Sequence, residues 1–375
     1  MRPAIHRAAN GMTLIEQGAV ELPAPRQEGS KVDNRPQGFF LAEDRLEASI
    51  AERRLFRRGR FPIFLRMATV ELLIDVALGV AIPSRNARGR IARLAGVVDS
   101  ILASHDYPPV IEQLLAEALT LTALLGSLLK EPHGQLTLQA QTEGGAIDLL
   151  VCDYLGGELR GYVRHDPERL GVLPAEPTLQ ELFGKGYLAI TFDQPLSKER
   201  YQGIVPLEGK SLGDAAQSYF SQSEQIPSLV RLAAEKRGGH WFAGGLLLQH
   251  LPEGEEGRER LHTRLDHPDW PHVAILGGSV KAEELTDPEL PLDDLIWRLF
   301  HEEEEVRTLA AIKLSRGCRC DPDYVRSVIA RFPDDEREEM VGEDGLIRVD
   351  CAFCSSSFAI EPSELDESRD KRSVG

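Results

Sequence analysis

Cysteine is scarce in this chain, five among 375 residues, and positive charge is in deficit: 43 Lys and Arg stand against 60 Asp and Glu, a formal net of −17. That balance argues against a nucleic-acid surface as the main partner, because phosphate binding rests on clustered Lys and Arg. Five cysteines, one remote from the rest, do not make a secreted disulfide framework; such a clustered set fits a reducing cytosol. Residues 1–38 lack the apolar segment of a signal peptide, which adds to the expectation of a cytoplasmic protein. A clean membrane span is missing too. The nearest stretch, Phe61 to Pro83, contains Arg66, Glu71 and Asp75 and is broken by Gly79, so it reads as a buried or partly exposed helix. Gly184-Lys185-Gly186 lacks the spacing and the Ser or Thr of a phosphate loop. His301-Glu302-Glu303-Glu304-Glu305 lacks the second His of a zinc-protease helix and reads as a charged helix end.

What is there is concentrated near the C-terminus. Four of the five cysteines form Cys318-Arg319-Cys320 and Cys351-Ala352-Phe353-Cys354, with thirty residues, 321–350, between the pairs. Two close pairs of soft ligands at that separation point to one tetrahedral zinc site. The local chain suits it. Asp321 is a good helix N-cap, Pro322 fits the first helical position, and Tyr324, Val325, Val328, Ile329 and Phe332 recur at helical spacing. Such a helix turns its positive end toward Cys318 and Cys320 and favours their thiolates. Leu346, Ile347 and Val349 before the second pair, and Phe358 and Ile360 after it, suggest a hairpin whose turn carries Cys-X-X-Cys. So few apolar groups would hardly fold alone, whereas a structural zinc contributes about 10–16 kcal/mol. Cys-X-Cys can also close into a disulfide if its backbone bends, and Cys351 can pair with Cys354. Two readings stand at this point, a plain zinc module and a thiol switch, and spacing alone favours the plain module.

The remainder is long enough for two or three domains and, at 42% hydrophobic, suits a globular protein. Residues 1–38, with Pro23, Pro25 and Pro36, are expected to hold little fixed structure. Arg53 to Arg60 is a basic run expected at a solvated helix or strand end. His105-Asp106-Tyr107-Pro108 reads as a turn, followed by an amphipathic helix through Ile111, Leu115, Leu119 and Leu128. Alternation over Leu136–Ala140, Ile147–Val151 and Leu159–Val163, with Gly-Gly turns between, predicts an antiparallel meander that this helix can cover. Cys152, on a meander strand, reads as a small core residue. Further strands are expected at Tyr187–Phe192, Tyr201–Pro206 and Trp241–Leu251, and a helix from Leu212 to about Ser223 with Ser211 and Asp214 as a capping box. Sixteen acidic and five basic residues lie between 252 and 305. Leu285, Leu292, Leu295 and Phe300 suggest helices there, expected as a weakly held linker rather than a second core. Residues 366–375 read as a loose tail.

These pieces, in this order, resemble the redox-regulated heat-shock holdase family, the 33-kilodalton chaperonins. The resemblance rests on Ser104-His105-Asp106-Tyr107-Pro108, Gly184-Lys185-Gly186-Tyr187, Glu199-Arg200-Tyr201-Gln202-Gly203, Ser223-Glu224-Gln225-Ile226-Pro227, Gly244-Gly245-Leu246-Leu247-Leu248-Gln249, Trp297-Arg298-Leu299-Phe300-His301 and the two cysteine pairs. It spans roughly residues 89–365. It implies an α+β fold: a β-rich N-terminal core domain packed with helices (39–251, with 61–87 as an insertion), an acidic helical linker (252–305) and a small C-terminal zinc-binding redox-switch domain (306–365). It also implies one zinc ion on the thiolates of Cys318, Cys320, Cys351 and Cys354. On oxidation, disulfides Cys318–Cys320 and Cys351–Cys354 form, zinc is lost, and switch and linker unfold. The protein would then hold unfolding client proteins without ATP, as a homodimer, with no nucleic acid or membrane partner. It would be a chaperone, not an enzyme. The resemblance makes the thiol switch the leading reading. The alternative is a thiol–disulfide oxidoreductase using Cys351 and Cys354, against which stands the absence of a helix expected directly after the pair.

Overall fold

The computed structural model describes residues 4–8, 11–15, 53–54, 74–129, 131, 133–196, 199–251 and 268–365, with backbone alone for 4–8, 11–15, 53–54, 143 and 199. Most of the basic run, residues 252–267 and the tail 366–375 lie outside the described residues. The chain forms two units. Met1–Gly29, Ala103–Asp106 and Gly317–Gly375 make the smaller; Ser30–Leu102 and Tyr107–Arg316 make the larger.

In chain order the strands are β1 (Ala4–Ala8), β2 (Gly11–Ile15), β3 (Arg53–Arg54), β4 (Val76–Ile82), β5 (Ala87–Leu94), β6 (Gln135–Glu143), β7 (Ile147–Leu155), β8 (Glu158–His165), β9 (Lys185–Gln194), β10 (Glu199–Pro206), β11 (Ser228–Arg237), β12 (His240–His250), β13 (Arg307–Thr308), β14 (Ile312–Lys313), β15 (Ser315–Arg316), β16 (Ile347–Cys351) and β17 (Ser357–Ile360). The helices are α1 (Gly96–Leu102), α2 (Pro109–Gly126), α3 (Pro167–Gly171), α4 (Leu179–Phe183), α5 (Leu212–Tyr219), α6 (Asp269–Gly278), α7 (Ala282–Thr286), α8 (Leu292–Phe300), α9 (Pro322–Ile329) and α10 (Asp334–Met340).

The larger unit is built around α2. Its Pro at the first helical position starts it, and its side chains are buried almost all round, from Ile111 to Gly126. It is long and apolar enough to cross a membrane by composition, but 72% of it is buried inside the protein, as a core helix requires. On one side lies a six-stranded sheet, β10-β9-β6-β7-β8-β15; on the other a seven-stranded sheet, β11-β12-β5-β4-β13-β3, with β14 also on β4. Both sheets come close because glycine faces the helix. A Cβ on Gly161 would sit 3.0 Å from Leu115, and one on Gly245 would sit 2.9 Å from Leu124. The two buried threonines of α2 donate to its own carbonyls, Thr120 to Ala116 and Thr122 to Ala118, so neither hydroxyl is stranded in the core. The meander, the later strands and the Ser211–Asp214 capping box stand where the sequence places them. The helix after Ser211 ends earlier than expected, at Tyr219, and runs on as a π turn over Phe220–Glu224.

Three expectations need correction. The stretch Phe61–Pro83 was expected to be a helix, yet its described part holds β4. An all-apolar run of seven is ambiguous by pattern; here it is apolar because both faces are covered, Ala77 in one core and Val76, Leu78, Val80 and Ile82 in another. Asp75, read as a helix charge, instead has φ 59° and accepts the amides of Ala95 and Val97 at the start of α1. The acidic segment is not poor in apolar contacts. In its described part Val273, Leu285, Leu292, Leu295, Ile296 and Phe300 are buried against the second face of the seven-stranded sheet. Residues 306–316, expected to begin the switch domain, belong to the larger unit, with Val306 and Leu314 each 1% exposed.

Two ionic devices hold the acidic helices to that face. Arg93 of β5, 2% exposed, donates to three carbonyls of the segment around α7: Nε to Leu285 (2.9 Å), one terminal nitrogen to Glu284 (2.9 Å) and the other to Leu290 (2.5 Å). Burial pulls its guanidinium down to about 10, so it stays charged at neutral pH. Glu303, after α8, accepts from Arg85 Nε at 2.8 Å and lies 2.6 Å from His272 Nε2, while Arg85 also reaches Asp269 at 2.9 Å.

The smaller unit is a four-stranded sheet, β1-β2-β16-β17, with α9 and α10. Residues 1–38 were expected to lack structure; their described part is a pair of strands, β2 lying parallel to β16. The prolines at 23–36 dominated the composition, while Met12-Thr13-Leu14-Ile15 is a β-prone run.

Candidate metal centre

Asp321 ends the first cysteine segment as an N-cap, its carboxylate accepting from the amides of Asp323 and Tyr324. Cys318 and Cys320 are thereby set just before the N-terminus of α9. The second pair sits at the β16–β17 turn. Cys351 N–H donates to Ser356 carbonyl (2.9 Å) and Ser355 N–H to Cys351 carbonyl (2.8 Å), with Ser355 at φ 57°. Beneath both lies a core of Val325, Val328, Ile329, Ile347, Val349, Ile360 and Leu365.

The four sulfurs converge. Cys318 Sγ is 3.3 Å from Cys320 Sγ and 3.7 Å from Cys351 Sγ; Cys320 Sγ is 3.4 Å from Cys354 Sγ; all four lie within 4.8 Å of one another. Sulfurs at about 2.3 Å from a central tetrahedral zinc would be about 3.8 Å apart, so the cluster has the size of such a shell. Its protonation tells the same story. The Cys351 thiol hydrogen bond holds Cys318 down at about 4, while burial pushes Cys320 up to about 12; Cys351 is pushed up by its bond to Cys318 and by burial. A thiolate at Cys318 makes a second negative charge on Cys320 or Cys351 costly, and a cation among the sulfurs would offset that cost. Backbone amides of Phe353 and Cys354 already point at Cys351, as does that of Cys320 at Cys318. The donor set is soft and lacks the oxygens that calcium or magnesium require. Strand β17, not a helix, follows Cys354, so the pair does not sit at a helix N-terminus.

The other residues singled out from sequence fall elsewhere. Cys152 is fully buried on β7, and burial pushes its thiol up. His105 belongs to the smaller unit, its Nδ1 3.4 Å from Ser355 Oγ, a contact no local pattern announces. His301 caps α8 as expected of a helix end. Glu303 and Arg93 were missed; a charge among charges, or among strand residues, carries no mark of its partner.

Among known proteins, the family model described as Hsp33 protein matches residues 75–361. This chain belongs to the Hsp33 family. The 33 kDa chaperonin of Caulobacter vibrioides is 39% identical over 299 residues, covering 78% of this chain and 96% of its own; that of Yersinia pestis is 34% identical over 278 residues, covering 74% and 89%. The crystal structure of the 33 kDa chaperonin (Hsp33) of Thermotoga maritima aligns with TM-score 0.66 at 21% identity, covering 80% of this chain and all of that one, a likeness of fold. The Hsp33 match takes in residues 75–87, part of the stretch expected to be an insertion.

Proposed function

We propose that this Hsp33-family chain is a redox-regulated, ATP-independent chaperone, silent when reduced and zinc-bound and active when oxidised. The observation that carries the reading is the convergence of Cys318, Cys320, Cys351 and Cys354 within 4.8 Å, in a unit whose core is seven buried residues. Bound zinc supplies the positive charge that lets four adjacent sulfurs stay ionised, and with it the folding free energy so small a core lacks. The remaining steps belong to the chain. A thiolate is attacked by an oxidant such as hypochlorite and its neighbour closes the bond. Cys318 with Cys320 and Cys351 with Cys354 each give up two electrons, and each hypochlorous acid consumed leaves as chloride and hydroxide. The α9 cap and the β16–β17 turn then lose the shared centre that orders them. The acidic segment follows, leaving Val76, Leu78, Val80, Ile91, Leu246 and Leu248, which it covers, to hold apolar parts of unfolding clients in the cytoplasm. The active form is a homodimer.

The test treats the zinc-loaded protein with hypochlorite and follows zinc release, thiol count and suppression of client aggregation together. Release of one zinc per chain, loss of four thiols and suppressed aggregation are expected. Oxidised protein that leaves aggregation unchanged sinks the reading. Turnover of a small disulfide substrate would favour the oxidoreductase alternative instead.

A further inference from the structure

Between α8 and Cys318 the chain is neither helix nor switch. Arg307–Arg316 runs as a strap along sheet edges: β13 and β14 pair antiparallel with β4, and β15 pairs parallel with β8. The pairing is by backbone, Leu309 N–H to Gly79 carbonyl (2.9 Å), Leu314 N–H to Asp75 carbonyl (2.7 Å) and Ser315 N–H to Gly157 carbonyl (3.0 Å). Glycine makes room for it. A Cβ on Gly79 would meet Leu309 at 2.8 Å, and one on Gly157, at φ +95°, would meet the Lys313 carbonyl at 2.7 Å. A single residue, Gly317, separates the strap from Cys318.

The strand under the strap differs from the edges elsewhere in these sheets. β10 carries Glu199, Arg200 and Pro206, and β11 carries Arg231, Glu235 and Lys236, the charges and proline that keep an edge from templating further pairing. β8 carries Glu158 and Arg160. β4 reads Val-Ala-Leu-Gly-Val-Ala-Ile, without a charge or a proline over seven residues. Left bare, such an edge is a template for any extended apolar segment.

We propose that the β4 edge, bared when the strap leaves, is a capture site that takes extended, β-prone segments of unfolding proteins by strand addition. The strap is its resting occupant and shows the mode: main-chain bonds supply affinity without regard to sequence, and alternate side chains enter the flanking cores, as Leu314 does at 1% exposure. This rests on the redox-regulated reading above, which supplies the release of the strap.

The probe is a fluorescent peptide copying residues 305–316, titrated onto full-length protein, oxidised or reduced and zinc-loaded, with aggregation suppression measured on the same samples. One version is N-methylated at the nitrogens of Leu309 and Leu314, which donate to β4; a second at those of Thr308 and Lys313, next to them. The plain peptide is expected to bind oxidised protein at least tenfold tighter than reduced. The first methylation should abolish that binding and the second should leave it within about threefold. Equal binding of both methylated peptides, or no peptide binding by oxidised protein that does suppress aggregation, overturns strand addition and leaves the chaperone reading intact. Oxidised protein that suppresses no aggregation sinks that reading, and with it the release on which the capture depends.

Discussion

Arg93 places a charge where the acidic segment meets the sheet, and its worth follows from what it touches. Three carbonyls take their bonds from one guanidinium held 2% exposed. In Arg93→Met all three lose their donor in a dry place, at about 1–3 kcal/mol for each carbonyl left unsatisfied. Water reaching some of them brings the expected loss to about 3 kcal/mol for docking of this segment. Hydrogen exchange over 282–290 should quicken by about a hundredfold at 1.4 kcal/mol per decade, with α2 unchanged. Unchanged protection at 282–290 would show the guanidinium to be incidental. Glu303 gives a pH dependence of definite sign. Burial alone would raise its carboxyl, but the bonds from Arg85 and His272 outweigh that and hold it below the ordinary value. A depressed carboxylate stabilises the folded state above its unfolded value, about 4.3, and loses that contribution as pH falls through the folded one. The docked segment should therefore loosen progressively as pH falls below about 4.3 in the wild type. Glu303→Gln, already weakened at neutral pH, should lose little more on acidification; proteolysis of the segment at pH 7 and pH 4 compares them.

At the scale of elements, α9 and the β16–β17 hairpin share six buried residues, with Leu365 packed beside them, and one cluster of sulfurs. A chelator, or Cys318→Ser with Cys320→Ser, should unfold residues 317–365 while the sheets around α2 keep their protection; dispersed amide signals for 317–365 in metal-free protein would refute it. Asp321→Ala removes a side chain that accepts two amides and should cost about 1 kcal/mol, seen as about fivefold weaker zinc retention in a chelator competition. These elements were legible in the sequence because each had a local cause: Asp-Pro for the cap, apolar residues at helical spacing, four thiols in two pairs. Others had none. Helix α10, Asp-Asp-Glu-Arg-Glu-Glu-Met, shows little apolar face and was missed, as was β11, whose Leu-Val-Arg-Leu-Ala-Ala breaks strict alternation. β4 was mistaken for helix because a strand buried on both faces has no period to read. The acidic segment misled in the opposite sense: its charge is counted along the whole chain, while Leu292, Leu295, Ile296 and Phe300 sit together on one face.

For the whole molecule, the consequence of oxidation is set by which core depends on which segment. The core around α2 draws only Leu314 and, at its margin, Ile312 from the residues after 268, whereas the second core takes Val273, Leu285, Leu295 and Phe300 from them. Loss of the acidic helices should therefore leave the two sheets and α2 folded and strip one face of the seven-stranded sheet. Exchange over 268–316 should become fast in oxidised protein while α2 stays protected. A bared face with Leu78, Val80, Ile91, Leu246 and Leu248 at its centre is a contiguous apolar patch, the kind of surface that marks association, so a second oxidised copy should cover part of it when no client is present. Sedimentation of oxidised protein is expected to show a dimer that returns to monomer on adding a dithiol and zinc. Added client should compete with dimerisation, because both draw on the same apolar area. A dimer whose population is indifferent to client would place the self-association elsewhere on the molecule, and a strictly monomeric oxidised form with fast exchange over 268–316 would mean that the bared face stays in water unaided.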